Sequence, residues 1–332
     1  MLCVKATTMG RMDTIKAPVS KELEHFQKVF DDVMKTRVPL LNIITRYIIK
    51  NKGKQMRPLF VFLSARLAGN TTESTYRAAA LIELLHTATL VHDDVVDEAN
   101  MRRSAFTINA LWKNKIAVLT GDFLLSKGML LALENKEYRL LEIVSRATKQ
   151  MSEGELLQIE KARRLDISEE IYFDIIRQKT ATLIGSATAS GAASAGATEE
   201  TINRFWEMGE NIGIAFQIKD DILDYENHGL TGKAAGNDIK EKKMTLPLIY
   251  MLNNISATQR RKIILQIKYS SKKPSVRQSI MEAVRKSGGI EYSEKMMEHY
   301  LHKATGFLDE FPGSEIKTAL NELIHYSIKR NK

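Results

Sequence analysis

The 332-residue chain has a single cysteine, Cys3. That excludes an intrachain disulfide and any cysteine metal cluster, and it fits a reducing cytoplasm. Proline (6) and glycine (18) are scarce, and long stretches carry neither. Strand-and-turn architectures need both, so an all-α protein is expected. No continuous run of about 18 apolar residues occurs, so no transmembrane helix is expected. The first residues also lack the apolar core of a secretory signal. Basic residues are not scarce: 49 Lys and Arg stand against 40 Asp and Glu, a net charge of +9. They are scattered, with modest concentrations from Arg260 to Lys286 and at Lys329–Lys332. Aromatics do not interleave with them, so a base-stacking nucleic-acid surface is not expected. Anionic substrates or an anionic membrane surface account for the sign of the charge.

What is present is helix. Residues 1–17 read as an irregular N-terminal segment, with Met9 and Met12 as alternative starts, and 18–332 as one helical domain. The 3.6-residue period begins at Ser20 (Leu23, Phe26, Val29, Phe30, Val33). A second helix covers Pro39–Lys50, and Asn51–Lys54 break it. Pro58 suits the first turn of a helix running to Ala68. Asn70-Thr71-Thr72-Glu73 caps a long apolar helix. Met101–Thr107 reads as a basic loop or turn. Helices are expected at about 108–134, 137–163, 168–196 and 199–224, then at about 244–253, 256–268, 274–287, 290–309 and 313–329. A glycine-rich loop at 229–236 separates the two groups. The stretch Gly185–Ser194 is made of small residues, which let a neighbouring helix approach closely in a core.

Two long apolar helices each end in the same acidic signature. One reads His92-Asp93-Asp94-Val95-Val96-Asp97, the other Lys219-Asp220-Asp221-Ile222-Leu223-Asp224. Positions four apart share a helix face, so Asp93 pairs with Asp97 and Asp220 with Asp224. Clustered carboxylates repel one another and resist leaving water. Two such clusters among apolar residues point to a cavity holding divalent cations, and helical bundles build metal sites between facing helices. Hard oxygen ligands favour magnesium, which bridges carboxylates to a substrate's phosphates.

Around these signatures stand Gly53-Lys54-Gln55-Met56-Arg57-Pro58, the segment His86–Asp97, Arg102-Arg103, Lys179-Thr180, Phe216-Gln217 before the second signature, and Gly232-Lys233…Gly236-Asn237-Asp238…Lys243…Thr245-Leu246-Pro247. With these six motifs in order, from about Glu22 to the C-terminus, the chain resembles the trans-type (head-to-tail) isoprenyl diphosphate synthases, and the octaprenyl type among them. The resemblance implies a single-domain α-helical bundle around a central active-site cavity, a homodimer, and Mg2+-dependent prenyl transfer. An allylic diphosphate, with farnesyl diphosphate the expected primer, ionises, and isopentenyl diphosphate attacks the cation.

The resemblance also assigns roles. Asp93, Asp97 and Asp220 hold metal, with Asp94, Asp221 and Asp224 as outer ligands or orienting groups. Arg102, Lys179 and Lys243 hold the allylic diphosphate. Lys54, Arg57, His86 and Arg103 form the isopentenyl diphosphate pocket; His86 lies two helical turns before Asp93, on the same face. Thr180 and Gln217 turn side-chain oxygens toward the allylic cation. No protein base is expected, and the departing diphosphate takes the proton. Two places depart from the family's pattern. Ser104 and Phe106 stand in Arg102-Arg103-Ser104-Ala105-Phe106-Thr107, where glycine and proline are common, and Lys242 stands where glycine often precedes the phosphate lysine.

Product length is expected from the turns before Asp93. Ala88 and Thr89 are small, and Leu84 and Leu85 are apolar without being aromatic, so the tunnel is open near the metals. The floor is expected on the helix at 122–133, where Leu125, Met129 and Leu133 recur at i, i+4 and i+8, a spacing that also suits simple core. The leading expectation is an octaprenyl-like product for a quinone side chain, with membrane contact only peripheral, for product release. The alternatives are a geranylgeranyl or farnesyl diphosphate synthase, a class I terpene cyclase, and a non-catalytic synthase subunit. Cyclases usually alter the second acidic motif, and non-catalytic subunits tend to lose aspartates; here all six stand.

Overall fold

The structure is a computed structural model and describes residues 11–102, 105–226 and 236–328. It is all-α apart from one two-stranded hairpin among the described residues, β1 (Met101–Arg102) pairing antiparallel with β2 (Ala105–Phe106). That hairpin replaces the loop expected at 101–107. By its internal contacts the chain divides into two compact units. Unit 1 gathers Met1–Arg146, Ser186–Trp206 and Phe311–Leu323. Unit 2 gathers Ala147–Gly185, Glu207–Glu310 and Ile324–Lys332.

Unit 1 is built on α5 (Glu73–Val96). Thr72 starts it with a capping box, its side chain and that of Thr75 each accepting from the other's backbone. Ala78 to His86 are buried without interruption, so this helix is apolar all round, as a central helix must be. Against it lie α2 (Ser20–Val33), α4 (Met56–Ala68) and α6 (Ile108–Glu134). The expected irregular segment is helical from Arg11: α1 (Arg11–Lys16) buries Ile15, and a 3-10 turn follows at Ala17–Val19.

The face α6 turns to α5 is made small. A Cβ on Gly121 would fall 2.1 Å from His92 Nε2, and one on Gly128 would fall 3.0 Å from Leu81 Cδ1. Ala117, Leu124 and Ala132 continue that buried face. Here the floor expected at Leu125, Met129 and Leu133 is corrected at its last two positions, Leu125 being half-buried. Met129 and Leu133 are 50% and 51% exposed, on the side of α6 away from α5. Close packing on α5 needs the glycines, and that turns the large side chains outward. α6 is also long and apolar enough to cross a membrane, which a search for continuous apolar runs overlooks; its other side is packed along α5.

α3 (Pro39–Lys50) joins the start of α6 through a small cluster of Ile44, Val91, Ile108 and Ala117, with Tyr47, Trp112 and Ile116 against it. Tyr47 meets Trp112 edge to face at 5.4 Å, and its hydroxyl donates to the Phe106 carbonyl at 2.7 Å. With Trp112 pinned there, α6 kinks at Lys113 (φ 72°, ψ 161°).

The small-residue stretch does pack tightly. On α9 (Thr182–Ser194), a Cβ at Gly191 would meet the Val61 carbonyl oxygen at 2.4 Å, so α9 touches α4 backbone to backbone. The helix expected at 168–196 is interrupted. α8 (Glu169–Ile176) runs into a π-turn at Arg177–Ala181 before α9. One wide turn leaves the apolar period almost unchanged, which hides it from a periodicity reading.

Unit 2 holds the core formed by Tyr172, Ile176, Ala181, Ile218, Ile222, Tyr225, Leu246, Ile249, Met281 and their neighbours. These come from α8, α10 (Glu199–Tyr225), α12 (Leu246–Asn253) and α14 (Pro274–Lys286). α7 (Tyr138–Arg164), α13 (Ala257–Ser270), α15 (Gly289–Leu308) and α16 (Glu315–Ile328) match the expected helices within a few residues. A one-turn helix, α11 (Asn237–Lys240), was not anticipated.

Candidate active site

Both acidic motifs close a helix. Asp93 and Asp94 lie in the last turn of α5, with Asp97 as its C-cap. Asp220, Asp221 and Asp224 lie at the end of α10. Neither helix has a basic residue in its last turn. The macrodipole disfavours anions there, by roughly 0.3–1 kcal/mol each. Three carboxylates in the wrong helical position, twice over, are a cost that external cations would reverse.

In unit 1, Asp94 is buried and turned to Arg102, whose Nε and Nη2 donate to Asp94 Oδ1 at 2.9 and 2.8 Å. Burial raises the Asp94 carboxyl above its ordinary value, and the Arg102 hydrogen bond and charge pull against that. Asn109 Nδ2 ties the motif to the hairpin exit by donating to the carbonyls of Asp94 (3.2 Å) and Ala99 (3.0 Å). Asp94 therefore orients the Arg102 guanidinium. Asp97 is exposed and Asp93 half-buried. His86 is buried on α5, with Lys54 just before α4 and Arg57 in its first turn. Gln55, between them, is left-handed (φ 51°), turning the chain into the N-terminal end of α4, where backbone N–H groups favour anions. Arg103 and Ser104 lie outside the described residues.

In unit 2, Asp220 is exposed, whereas Asp221 and Asp224 are committed to neighbours. Asp224 Oδ1 and Oδ2 accept from the backbone N–H groups of Asn237 (3.1 Å) and Asp238 (3.0 Å). It thereby fastens α11 to the end of α10. Asp221 accepts from Gln217 Nε2 at 2.9 Å and from the Tyr172 hydroxyl at 2.8 Å. Burial, and then Asp238, push the Asp221 carboxyl up to about 8, against the hydrogen bonds from Gln217 and Tyr172. Asp238 is likewise raised to about 6, by burial and then by Asp224. Carboxyls that resist ionisation side by side are what a bound cation corrects.

The two expected lysines each meet a glutamate that the motifs did not point to. Lys179 Nζ meets Glu155 Oε2 on α7 at 2.5 Å. Lys243 Nζ meets Glu241 Oε2 at 2.6 Å and Asp238 Oδ1 at 3.8 Å. Lys242 is left-handed (φ 61°), the conformation a glycine adopts without cost. The π-turn that carries Lys179 and Thr180 fits between two glycines. A Cβ on Gly154 would fall 2.7 Å from the Lys179 nitrogen, and one on Gly213 would fall 2.3 Å from the Ala181 Cα. Thr180 Oγ1 donates to Gln217 Oε1 at 3.0 Å.

Among the described residues, no three acidic, His or Cys side chains converge as a metal cluster. In each unit the donors are hard oxygens, exposed Asp97 next to oriented Asp94 in unit 1 and exposed Asp220 next to oriented Asp221 in unit 2, the type a hard divalent ion takes.

The sequence profile of the polyprenyl synthetase family matches residues 38–285. The chain belongs to the polyprenyl synthetase family. It is 37% identical over 320 residues to an all-trans-nonaprenyl-diphosphate synthase (geranyl-diphosphate specific) of Rhodobacter capsulatus, covering 95% of this chain and 97% of the relative. It is 35% identical to the octaprenyl diphosphate synthase of Escherichia coli, over 89% of this chain and 91% of that one. A crystal structure of a Caulobacter crescentus polyprenyl synthase, complexed with calcium and isoprenyl diphosphate, superposes with a TM-score of 0.87 at 32% identity, covering 96% of this chain and 98% of that one.

As a polyprenyl synthetase the chain is a prenyltransferase with the all-α isoprenoid synthase fold, and proteins of its family depend on divalent metal. The positions expected to set chain length, Ala88 and Thr89, lie on α5 one turn before the first motif. Ala88 is fully buried; Thr89 is half-buried, with its hydroxyl donating to the His86 carbonyl at 2.9 Å. Sequence reasoning missed Tyr172, Glu155, Gly154 and Gly213. Only a Gly on each side of Lys179-Thr180, spaced to face it, could have pointed to them.

Proposed function

We propose that the chain is an all-trans polyprenyl diphosphate synthase making a medium- or long-chain, octaprenyl-like product for a quinone side chain. It condenses isopentenyl diphosphate onto an allylic diphosphate, with farnesyl diphosphate as the expected primer. The observation that carries this is the pair of aspartate motifs at helix C-termini, each beside oriented cations: Arg102 on Asp94, and Lys179 and Lys243 held by Glu155 and Glu241. The sizes named for its relatives, nonaprenyl and octaprenyl, support the product class, as do small Ala88 and Thr89.

The residues divide the work. Arg102, Lys179 and Lys243 bind the allylic diphosphate, exchanging carboxylate partners for phosphate oxygens. Lys54, Arg57, His86 and Arg103 bind isopentenyl diphosphate. Mg2+ bound by Asp93, Asp97 and Asp220 would neutralise the charge on the departing diphosphate. As the allylic C–O bond breaks, the Thr180 and Gln217 oxygens face the developing cation. The double bond of isopentenyl diphosphate forms the new C–C bond, and the proton it must lose goes to the released diphosphate.

We propose a homodimer formed through α6. Val118, Leu119, Met129, Leu130 and Leu133 are all exposed on this 27-residue helix. An apolar stripe along roughly 22 Å of helix, from Val118 to Leu133, marks an interface, and a two-fold axis pairs such a stripe with itself. Residence in a reducing cytoplasm fits the single cysteine.

The test is incubation of the purified chain alone with farnesyl diphosphate, isopentenyl diphosphate and Mg2+, followed by product sizing. A ladder ending near octaprenyl diphosphate is expected. A stop at geranylgeranyl diphosphate, or at farnesyl diphosphate when dimethylallyl diphosphate is the primer, would move the chain to the shorter synthases. A cyclic hydrocarbon would make it a cyclase, and no product would make it a partner subunit.

A further inference from the structure

We propose that Tyr172 is a positioning residue: through Asp221 it fixes the orientation of the Gln217 amide, so that the carbonyl end, not the amino end, lies beside Thr180. This rests on the reading of Gln217 and Thr180 as groups that face the substrate. A glutamine amide can sit either way round, and only its neighbours choose. Here the choice is made by a chain of three hydrogen bonds. The Tyr172 hydroxyl donates to Asp221 Oδ2 at 2.8 Å, Gln217 Nε2 donates to Asp221 Oδ1 at 2.9 Å, and Thr180 Oγ1 donates to Gln217 Oε1 at 3.0 Å. Asp221 Oδ2 takes the Tyr172 hydroxyl and Oδ1 takes Gln217 Nε2, so the amino end of Gln217 is the end that faces Asp221. Once that end is taken, the carbonyl end is left for Thr180.

Tyr172 supplies what Asp221 alone lacks, a fixed carboxylate plane. Its ring is enclosed in the unit 2 core, and its hydroxyl holds one oxygen of Asp221, leaving the other aimed along α10. Gln217 and Asp221 are i and i+4 on that helix and share a face. Tyr172 and Thr180 lie on the same continuous segment, α8 and its π-turn, so the three bonds tie this segment to α10 at two places. At Gly213, one turn before Gln217, the two backbones lie close: a Cβ there would fall 2.3 Å from the Ala181 Cα. The approach that puts Thr180 within reach of Gln217 is thus built into both strands of the contact.

The orientation matters because an amide presents opposite ends of a dipole. With Oε1 beside Thr180, two oxygens lie together, an arrangement that stabilises positive charge nearby. Reversed, the amide would offer N–H groups to the same place and oppose a cation. On this view Asp221 acts through Gln217 and is not a metal holder, although it stands inside the second acidic motif.

The experiment compares Tyr172→Phe, Asp221→Asn and Gln217→Leu in steady-state kinetics, with folding followed by circular dichroism and thermal denaturation. Tyr172→Phe keeps the ring and removes only the hydroxyl. It is expected to lower kcat about tenfold, the scale of an outer orienting partner, with KM for both diphosphates and the half-saturating Mg2+ concentration unchanged. Asp221→Asn offers an amino group to Gln217 and is expected to lower kcat further, again without raising the Mg2+ requirement. An unchanged kcat in folded Tyr172→Phe overturns the proposal. So does a Mg2+ requirement that rises in Asp221→Asn, which would make Asp221 a metal holder. Wild-type kcat in Gln217→Leu would instead overturn the assignment of Gln217 to the site. Should Tyr172→Phe fail to fold, the side-chain amide resonances of Gln217, assigned by their loss in Gln217→Leu, give the answer in Asp221→Asn. A large shift on loss of the carboxylate supports the proposal, and unmoved resonances overturn it.

Discussion

Lys113 offers a test of backbone strain in which the side chain plays no part. It lies inside α6 at φ 72° and ψ 161°, a region open essentially to glycine alone, and its side chain is exposed. Holding a residue with a Cβ there costs about 1–3 kcal/mol. The neighbouring packing maintains it: Trp112 is pinned against Tyr47, while Ile116 and Ala117 must enter the same cluster. Lys113→Gly removes the strain and gives back about 0.4–1 kcal/mol through the freer unfolded chain. The net expectation is a gain of about 1–2 kcal/mol. With an unfolding entropy of about 2.1 cal/mol/K per residue, 332 residues give about 0.7 kcal/mol/K, so Tm should rise by about 1.5–3 °C. Differential scanning calorimetry reads this directly. Lys113→Ala is the control, since alanine keeps the Cβ and should not gain. A fall in Tm for Lys113→Gly, or an equal rise for Lys113→Ala, would refute the reasoning.

Gly213→Ala and Gly191→Ala both force a methyl against backbone, at 2.3 Å from the Ala181 Cα and 2.4 Å from the Val61 oxygen. Each should cost about 1–3 kcal/mol in urea denaturation, but only Gly213→Ala should also lower kcat, because only it displaces Thr180. Leu119→Asp combined with Met129→Asp should convert a dimer to a monomer in light scattering; a monomeric wild type would remove the α6 interface. Asp97→Asn and Asp220→Asn should each raise the Mg2+ concentration for half-maximal activity by at least about tenfold, which a titration of initial rates measures. Ala88→Phe should shorten the product sharply while Tm holds. Unchanged product length by radio-thin-layer chromatography would sink that assignment, and a drop in Tm alone would show Ala88 packed against protein rather than lining a tunnel.

Most helices were legible because their signals are local. Thr72 announces α5, Pro39 and Pro274 open α3 and α14, and the apolar period carries each run between them. The features that read wrongly all depend on a partner distant in sequence. Met129 and Leu133 form as good a stripe as Leu124 and Gly128, and nothing within α6 says which side meets α5. The kink at Lys113 falls on a good helix former, and the π-turn at Arg177–Ala181 leaves the period intact. Both follow from what packs against them, Tyr47 in one case and Gly154 with Gly213 in the other.

The candidate site divides in the same way. The sequence alone determined the chemistry: two Asp-Asp-x-x-Asp motifs, with arginines and lysines at fixed offsets, specify hard-metal and diphosphate binding, because charge type and helical spacing are encoded residue by residue. It could not determine which carboxylates face outward. Asp94, Asp221 and Asp224 are spaced like their neighbours, yet one grips Arg102, one is held by Tyr172 and Gln217, and one fastens α11 to α10. Those assignments belong to the tertiary structure, because a carboxylate's direction is set by the donors that reach it, and these donors come from β1, α8 and the start of α11, well apart in the chain.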